Sequence, residues 1–204
     1  MKIHSLLAGA MMLFSLNAGG QQQRPKIVAE GGAPDDRASA RVLYWNGQTD
    51  AAAGQVALDY GRPVWKKEYN DPARFDAMTR GKVWRMGSNY WTTLDTNLPL
   101  SIGGKKVPVG FYYLGLHRSE EGSEWSLVFI DPAKARKQRL DAFQIERAPV
   151  EFEALMSIVT KAETLMERLT ITMSYPKDDI KHVTLRVAWG NLAFSTPIDV
   201  VLPE

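Results

Sequence analysis

The sequence predicts an all-β protein, an antiparallel β-sandwich of jelly-roll, Ig-like or barrel-like form. Three observations carry this. About eight to ten short runs alternate apolar with polar residues and are separated by turn residues. The turns include Gly103-Gly104 and Gly190-Asn191, where glycine accepts the backbone angles of tight hairpins. Strands do not alternate with helices as a parallel α/β sheet requires.

Arg41 to Asn46 is rich in Val, Leu, Tyr and Trp and reads as the first strand. Gln55 to Tyr60 puts Val56, Leu58 and Tyr60 on one face. Pro63 closes it, having no N–H for a ladder. Val64 to Arg80 is irregular and charged, with Asp71-Pro72 suited to cap one helical turn through Met78. Tyr90 to Ile102 is extended and broken by Pro99. Ile102-Gly103-Gly104-Lys105 is a hairpin signal, and Pro108-Val109-Gly110 marks a further turn. Phe111 to Arg118 has Tyr112, Leu114 and Leu116 on one side and Phe111, Tyr113, Gly115 and His117 on the other.

Trp125 to Ile130 is apolar on both faces, as a central strand is. Asp131-Pro132 then starts a short basic helix over 132–140, with an N-cap residue before a proline at the first helical position. Leu169, Ile171, Met173 and Tyr175 alternate with Thr170, Thr172 and Ser174; Val183, Leu185, Val187 and Trp189 alternate with Thr184, Arg186 and Ala188. Leu192 to Leu202 returns as the last strand. Ahead of these strands, Ser157 to Arg168 reads two ways: Ile158, Ala162, Leu165, Met166 and Leu169 fit a helical face, but the tail of the run feeds directly into a strand.

The first twenty residues have the layout of a secretory signal peptide. Lys2 and His4 precede an apolar run, Leu6 to Leu16, that is shorter than the about 20 residues a bilayer requires. Ala18-Gly19-Gly20 then offers small residues for cleavage. Residues 21–37 read as a flexible linker and 38–204 as one β-sandwich domain. An exported chain, periplasmic or extracellular, with no membrane span after signal removal is the expectation. The mature part has 24 basic and 23 acidic residues once Lys2 is gone, so no charge excess points to nucleic acid. Zero cysteines exclude disulfides, thiol chemistry and thiolate-bound zinc.

Several spaced motifs resemble one family. They are Tyr60-Gly61-Arg62-Pro63, Gly81-Lys82-Val83-Trp84-Arg85-Met86-Gly87-Ser88-Asn89 with Thr92-Thr93, Ile102 to Tyr112, Trp125-Ser126-Leu127-Val128-Phe129, and the closing Leu185 to Gly190 with Thr196-Pro197-Ile198. In this order they resemble the bacterial "domain of unknown function 2911" family, from roughly Ala38 to Leu202. The resemblance implies an exported β-sandwich and brings no activity with it. Relatives usually read Trp-Arg-Thr-Gly-Ala-Asn-Glu, whereas Met86, Ser88 and Tyr90 stand here for the Thr, Ala and Glu. A carboxylate acting there in relatives is therefore missing at Tyr90. Trp65-Lys66-Lys67-Glu68 also stands where the family suggests a Lys-Gly-Arg stretch.

The chemistry-bearing residues are few. The chain has no Gly-x-Ser-x-Gly elbow, no phosphate-binding loop and no His-Glu-x-x-His helix. His117 and His182 are its only histidines after His4, so no metal and no cofactor is expected. Asp178-Asp179 lacks the spaced oxygens of a calcium loop. The candidate ligand-binding residues are Arg62, Arg85, Asn89, Tyr90 and His117. Arginine offers a planar fork of donors for a carboxylate or phosphate. Asn89 both donates and accepts, and Gly87 allows close backbone approach. The competing reading is structural: Arg85 pairs with Asp59 or Asp95, and Asn89 serves a turn. His117 either tips an open aromatic strip or is a core histidine covered by the second sheet or by the 133–140 helix.

The sequence-level expectation is thus a non-enzymatic module binding a small polar or anionic ligand near Arg85 and Asn89. Two alternatives stand beside it: a hydrolase-like enzyme using His117 with Asp95 or Asp131 as an acid–base pair, and a purely structural envelope domain.

Overall fold

The computed structural model describes residues 27–203 apart from 30, 34 and 160–164. The chain divides into two compact units, Met1–Ala33 and Pro34–Glu204, and the β architecture belongs to the second. The expected signal segment lies outside the described residues.

Among the described residues there are twelve strands: β1 Arg37–Asn46, β2 Ala51–Gly61, β3 Val83–Arg85, β4 Thr92–Thr96, β5 Leu100–Ile102, β6 Lys105–Val107, β7 Gly110–Arg118, β8 Trp125–Ile130, β9 Val150–Ile158, β10 Met166–Ser174, β11 His182–Gly190 and β12 Leu192–Val200. Two helices, α1 Pro72–Thr79 and α2 Pro132–Lys137, join them. The first sheet runs β1-β2-β4-β7-β8-β9, with β3 beside the far half of β7. The second runs β10-β11-β12, and β5 and β6 extend it from β12. All of these pairings are antiparallel. β9 serves both sheets: Val150–Met156 pair with β8, and Ser157 and Ile158 pair with β12. The result is an open all-β sandwich, as the alternation of the sequence predicts.

The main core lies between the sheets. Leu58, Leu94, Leu114, Leu116, Leu127 and Phe129 from the first face Leu169, Leu185, Val187 and Ile198 from the second. The inward residues of β2 are Val56, Leu58 and Tyr60, the set the alternation selects. All six residues of β8 are buried, so its outer side also needs a cover. That cover is α2 with a 3₁₀ turn over Ala142–Arg147. Together they bury Val128 and Ile130 beneath Ala135, Leu140, Ala142 and Ile145. Asp131 caps α2 by accepting from the Ala133 N–H at 2.7 Å. Gly115 on β7 leaves the space that the Ile145 side chain fills.

Four local expectations are corrected. The helix from Pro132 ends at Lys137, and Leu140 instead packs under the cover as a buried turn residue. α1 is a full eight residues, its N-cap Asp71 accepting from Ala73 and Arg74. Val150–Ile158 is a strand that the sequence reading left out, although Glu151 and Glu153 alternate with Phe152 and Ala154. The helical face over Ser157 to Arg168 does not form where it is described. Ser157 and Ile158 finish β9, and Met166 to Arg168 start β10; Ala162 lies outside the described residues.

The segment from Arg62 to Lys82 straps one end of the sandwich. Near its start the Trp65 N–H donates to Glu167 O at 2.7 Å, on β10. At its other end the Gly81 N–H donates to Arg118 O at 3.0 Å, on β7. It therefore passes from the second sheet to the first.

Two of the sequence motifs are one device. A side chain at Gly61 would run into the backbone of Ser88. Gly87, at φ 148°, packs on the Gly61 backbone and beneath the Thr92 hydroxyl. The end of β2 and the β3–β4 loop thus meet backbone to backbone. Gly61→Ala is expected to cost about 1–3 kcal/mol through overpacking. Gly47→Ala, with open space around it, is expected to be nearly neutral. Urea denaturation of the two variants checks this, and equal midpoints would refute the close-approach argument.

Candidate functional site

The five predicted site residues fall into two groups. Arg62, Asn89 and Tyr90 gather near the start of β1. Asn89 sits in left-handed backbone at φ 64°, and its Nδ2 donates to Asp35 Oδ1 at 2.7 Å. The Tyr90 ring is exposed and lies 5.4 Å from the Arg37 guanidinium. Arg37 in turn pairs with Asp59 and donates to Trp91 O at 3.1 Å. The Arg62 N–H donates to Asp36 O at 3.0 Å, while Arg168 pairs with Asp36. Arg37 and Arg168 each have an acid beside them, whereas among the described residues the Arg62 guanidinium has none and its Nε is buried without a hydrogen-bond partner. The paired groups hold the chain to the end of β2. Asn89 serves the turn.

Arg85 and His117 lie on the outer face of the first sheet. Arg85 pairs in register with Gly115, and His117 with Val83 on one side and Ser126 on the other. The Arg85 guanidinium stacks 3.7 Å above the centre of the exposed Phe143 ring. It has no carboxylate in salt-bridge contact: Asp59 is taken by Arg37, and Asp95 is exposed on β4. Its Nη1 is buried without a hydrogen-bond partner. Burial holds its pKa below the usual arginine range, with the Asp141 charge opposing that shift.

His117 does meet a carboxylate, but not Asp95 or Asp131. Its Nδ1 lies 3.0 Å from Glu153 Oε2 on β9, and Asp131 is occupied in capping α2. Since a carboxylate only accepts, the hydrogen of this contact is on Nδ1. Among the described residues Ser126 makes no side-chain hydrogen bond to this ring, so this imidazole does not activate that hydroxyl. Glu153 escaped notice because its strand did. Its alternation with Phe152 and Ala154 was the available signal.

A different site lies on the opposite face of β3. Trp84 stacks on Trp189 of β11, with ring centres 5.0 Å apart and planes 11° from parallel. Trp65 meets Trp189 edge-on at 5.0 Å. Beside these rings, between the sheets, is a cavity of about 50 Å³ walled by Tyr69, Phe75, Trp84, Trp125, Trp189 and Phe194 among others. The strap closes it from above. On the strap's outer side a groove of about 170 Å³ shares Tyr69, Phe75 and Leu192 with the cavity. Three aromatics in a charged segment, Trp65, Tyr69 and Phe75, were the sequence signal for this site.

The strap is latched by Arg118, whose side chain is 13 % exposed. Arg118 Nη1 donates to Asp76 Oδ1 at 2.6 Å and to Thr79 Oγ1 at 3.0 Å, both on α1. Its Nε donates to Gly122 O at 2.9 Å. The guanidinium lies 5.7 Å from the Phe75 ring centre and 5.5 Å from that of Trp125. Asp76 also pairs with Arg80. Hydrogen bonds from Arg118, then from Arg80, hold the Asp76 carboxyl below its usual range.

A carboxyl with a lowered folded-state pKa stabilises at pH above its unfolded value, about 3.9, and loses that contribution as pH falls through the folded value. The strap is therefore expected to loosen on acidification below about pH 4. Tryptophan emission should shift to the red as Trp84 and Trp189 meet water. Asp76→Asn should show part of this shift at neutral pH and lose the acid step. An unchanged acid step in Asp76→Asn would sink the latch.

Among the described residues no three His, Asp or Glu side chains gather to hold a metal ion. No described helix is long and apolar enough to cross a membrane. No curated protein and no solved structure matches the chain. The model of one family, "Protein of unknown function (DUF2911)", matches residues 46–198, which takes in the strap, both faces of β3 and the cavity walls. With most of its length covered, the chain belongs to the DUF2911 family.

Proposed function

We propose that this protein is an exported, non-enzymatic binding module, and that its ligand is a small flat molecule with apolar faces held at the Trp84–Trp189 wall. The aromatic cavity beneath the strap carries this reading. Ligand sites are concave and mostly apolar, with a few placed polar groups. Here stacked indoles supply the flat apolar surface, and Thr79 supplies a polar edge, with Arg118 behind it, donating to the Thr79 hydroxyl and lying against the lining rings of Phe75 and Trp125. The Asn89 group lies around an Asn89–Asp35 bond and the Arg37–Asp59 pair and has no aromatic cavity beside it. The ligand chemistry thus moves from the polar class expected around Asn89 to an aromatic one.

Indole-3-carboxamide is a suitable neutral probe. At about ten times its Kd it adds about 1.4 kcal/mol to stability. That raises Tm by about 3–6 °C for a domain of this size. Leu192→Phe, which fills space common to the cavity and the groove, is expected to abolish the shift while the fold persists. No shift in the parent protein, or an undiminished one in Leu192→Phe, would refute the reading.

A second reading rests on Arg85, whose buried Nη1 lacks a partner. A small anion on the outer face of the first sheet would satisfy it. Thermal shifts with phosphate and dicarboxylates, lost in Arg85→Ala, would support this. Shifts surviving that change would remove it.

A further inference from the structure

Resting on the binding reading above, we propose that the ligand is an aromatic carboxylate whose carboxylate displaces Asp76 from Arg118, so that ligand binding itself releases the strap. Size is the first argument. With the strap in place the cavity measures about 50 Å³, whereas an apolar cavity that admits benzene is about 150 Å³. A ring enters only if the strap moves. The adjoining groove, at about 170 Å³, is separated from the cavity by Tyr69, Phe75 and Leu192. Displacing Phe75 joins the two.

The second argument is what holds Phe75 in place. Phe75 and Asp76 are neighbours on α1, so the residue that walls the cavity and the residue that latches the strap move together. The strap's own ends are held by backbone hydrogen bonds to β10 and β7 and need not open. Asp76 on Arg118 is the contact at its middle.

The third argument is charge. Arg118 is nearly enclosed, lies against the rings of Phe75 and Trp125, and is oriented by the Gly122 carbonyl independently of the strap. If Asp76 left without replacement, Arg118 would be a largely buried cation without a carboxylate, which is costly. A ligand carboxylate supplies that partner, and its ring supplies the apolar body for the indole walls. Asp76 is not stranded, because Arg80, four residues on along the strap, already holds its other oxygen. Thr79 Oγ1 keeps its bond to Phe75 O at 2.8 Å within α1. One carboxylate replaces another on the same guanidinium, and each charge keeps a partner throughout.

Calorimetric titration of the full chain with indole-3-carboxylate and its neutral counterpart, indole-3-carboxamide, tests this. The carboxylate is expected to bind about tenfold tighter, the scale of one charge-assisted hydrogen bond. Asp76→Asn removes the competing anion and is expected to tighten the carboxylate about fivefold relative to the amide. Arg80→Gln leaves Asp76 on Arg118 alone and is expected to weaken it. Both side chains are partly exposed, and thermal unfolding of the two variants confirms the fold. Opposite effects of the two variants support the exchange. Equal affinity for the two probes, or the same direction of change in both variants, overturns it while leaving the cavity reading intact. Binding of neither probe overturns both.

Discussion

A strand buried on both faces governs this molecule. Every residue of β8 is inaccessible: Trp125, Leu127 and Phe129 face the second sheet, and Val128 and Ile130 face away from it. A two-layer sandwich satisfies only the first set. The second set demands a further layer, and the residues following β8 supply it. Asp131-Pro132 starts α2, and Asp141 starts the 3₁₀ turn that lays Ile145 over Gly115. The setting of Arg85 follows. It is half-sheltered because Phe143 rides on the same turn, placed there to cover β8. The hydrophobic demand of one strand thus creates the polar oddity on its neighbour's neighbour.

Much of the fold was legible because alternation is a direct consequence of the pleat. β2, β7, β10 and β11 were readable from their apolar faces, and β8 from its unbroken run. β9 was overlooked although Glu151 and Glu153 alternate with Phe152 and Ala154, and its change of partner from one sheet to the other leaves no mark in the sequence. β3 is three residues long, too short for any period to show. The site was less legible still. Composition marked Trp84 and Arg85 as a pair, but successive residues on a strand point to opposite faces. Trp84 belongs to the cavity and Arg85 to the outer face, and only the assembled sheet separates them. The His117–Glu153 contact bridges β7 and β9 across β8, a neighbourhood that no local spacing reveals.

The strap shows how a charged, irregular segment can be structurally exact in its contacts. It carries Trp65, Tyr69 and Phe75 to the open end of the sandwich, where the inner faces of both sheets would otherwise meet water. Its charges are not surface decoration alone. Asp76 and Arg80 connect it to Arg118 and hold its rings over the gap. Closure of the sandwich at this end thus rests on one largely buried cation and an exposed acid, set against rings that prefer to stay covered.

The distribution of indoles has an optical consequence. Four of the six tryptophans, Trp65, Trp84, Trp125 and Trp189, stand around the strapped end of the sandwich. Trp84 and Trp189 are parallel and close enough to couple electronically, and Trp65 lies within easy reach of energy transfer. With four of six indoles gathered there, the intrinsic emission of the chain is weighted toward one end of one sandwich, a local signal without any added label.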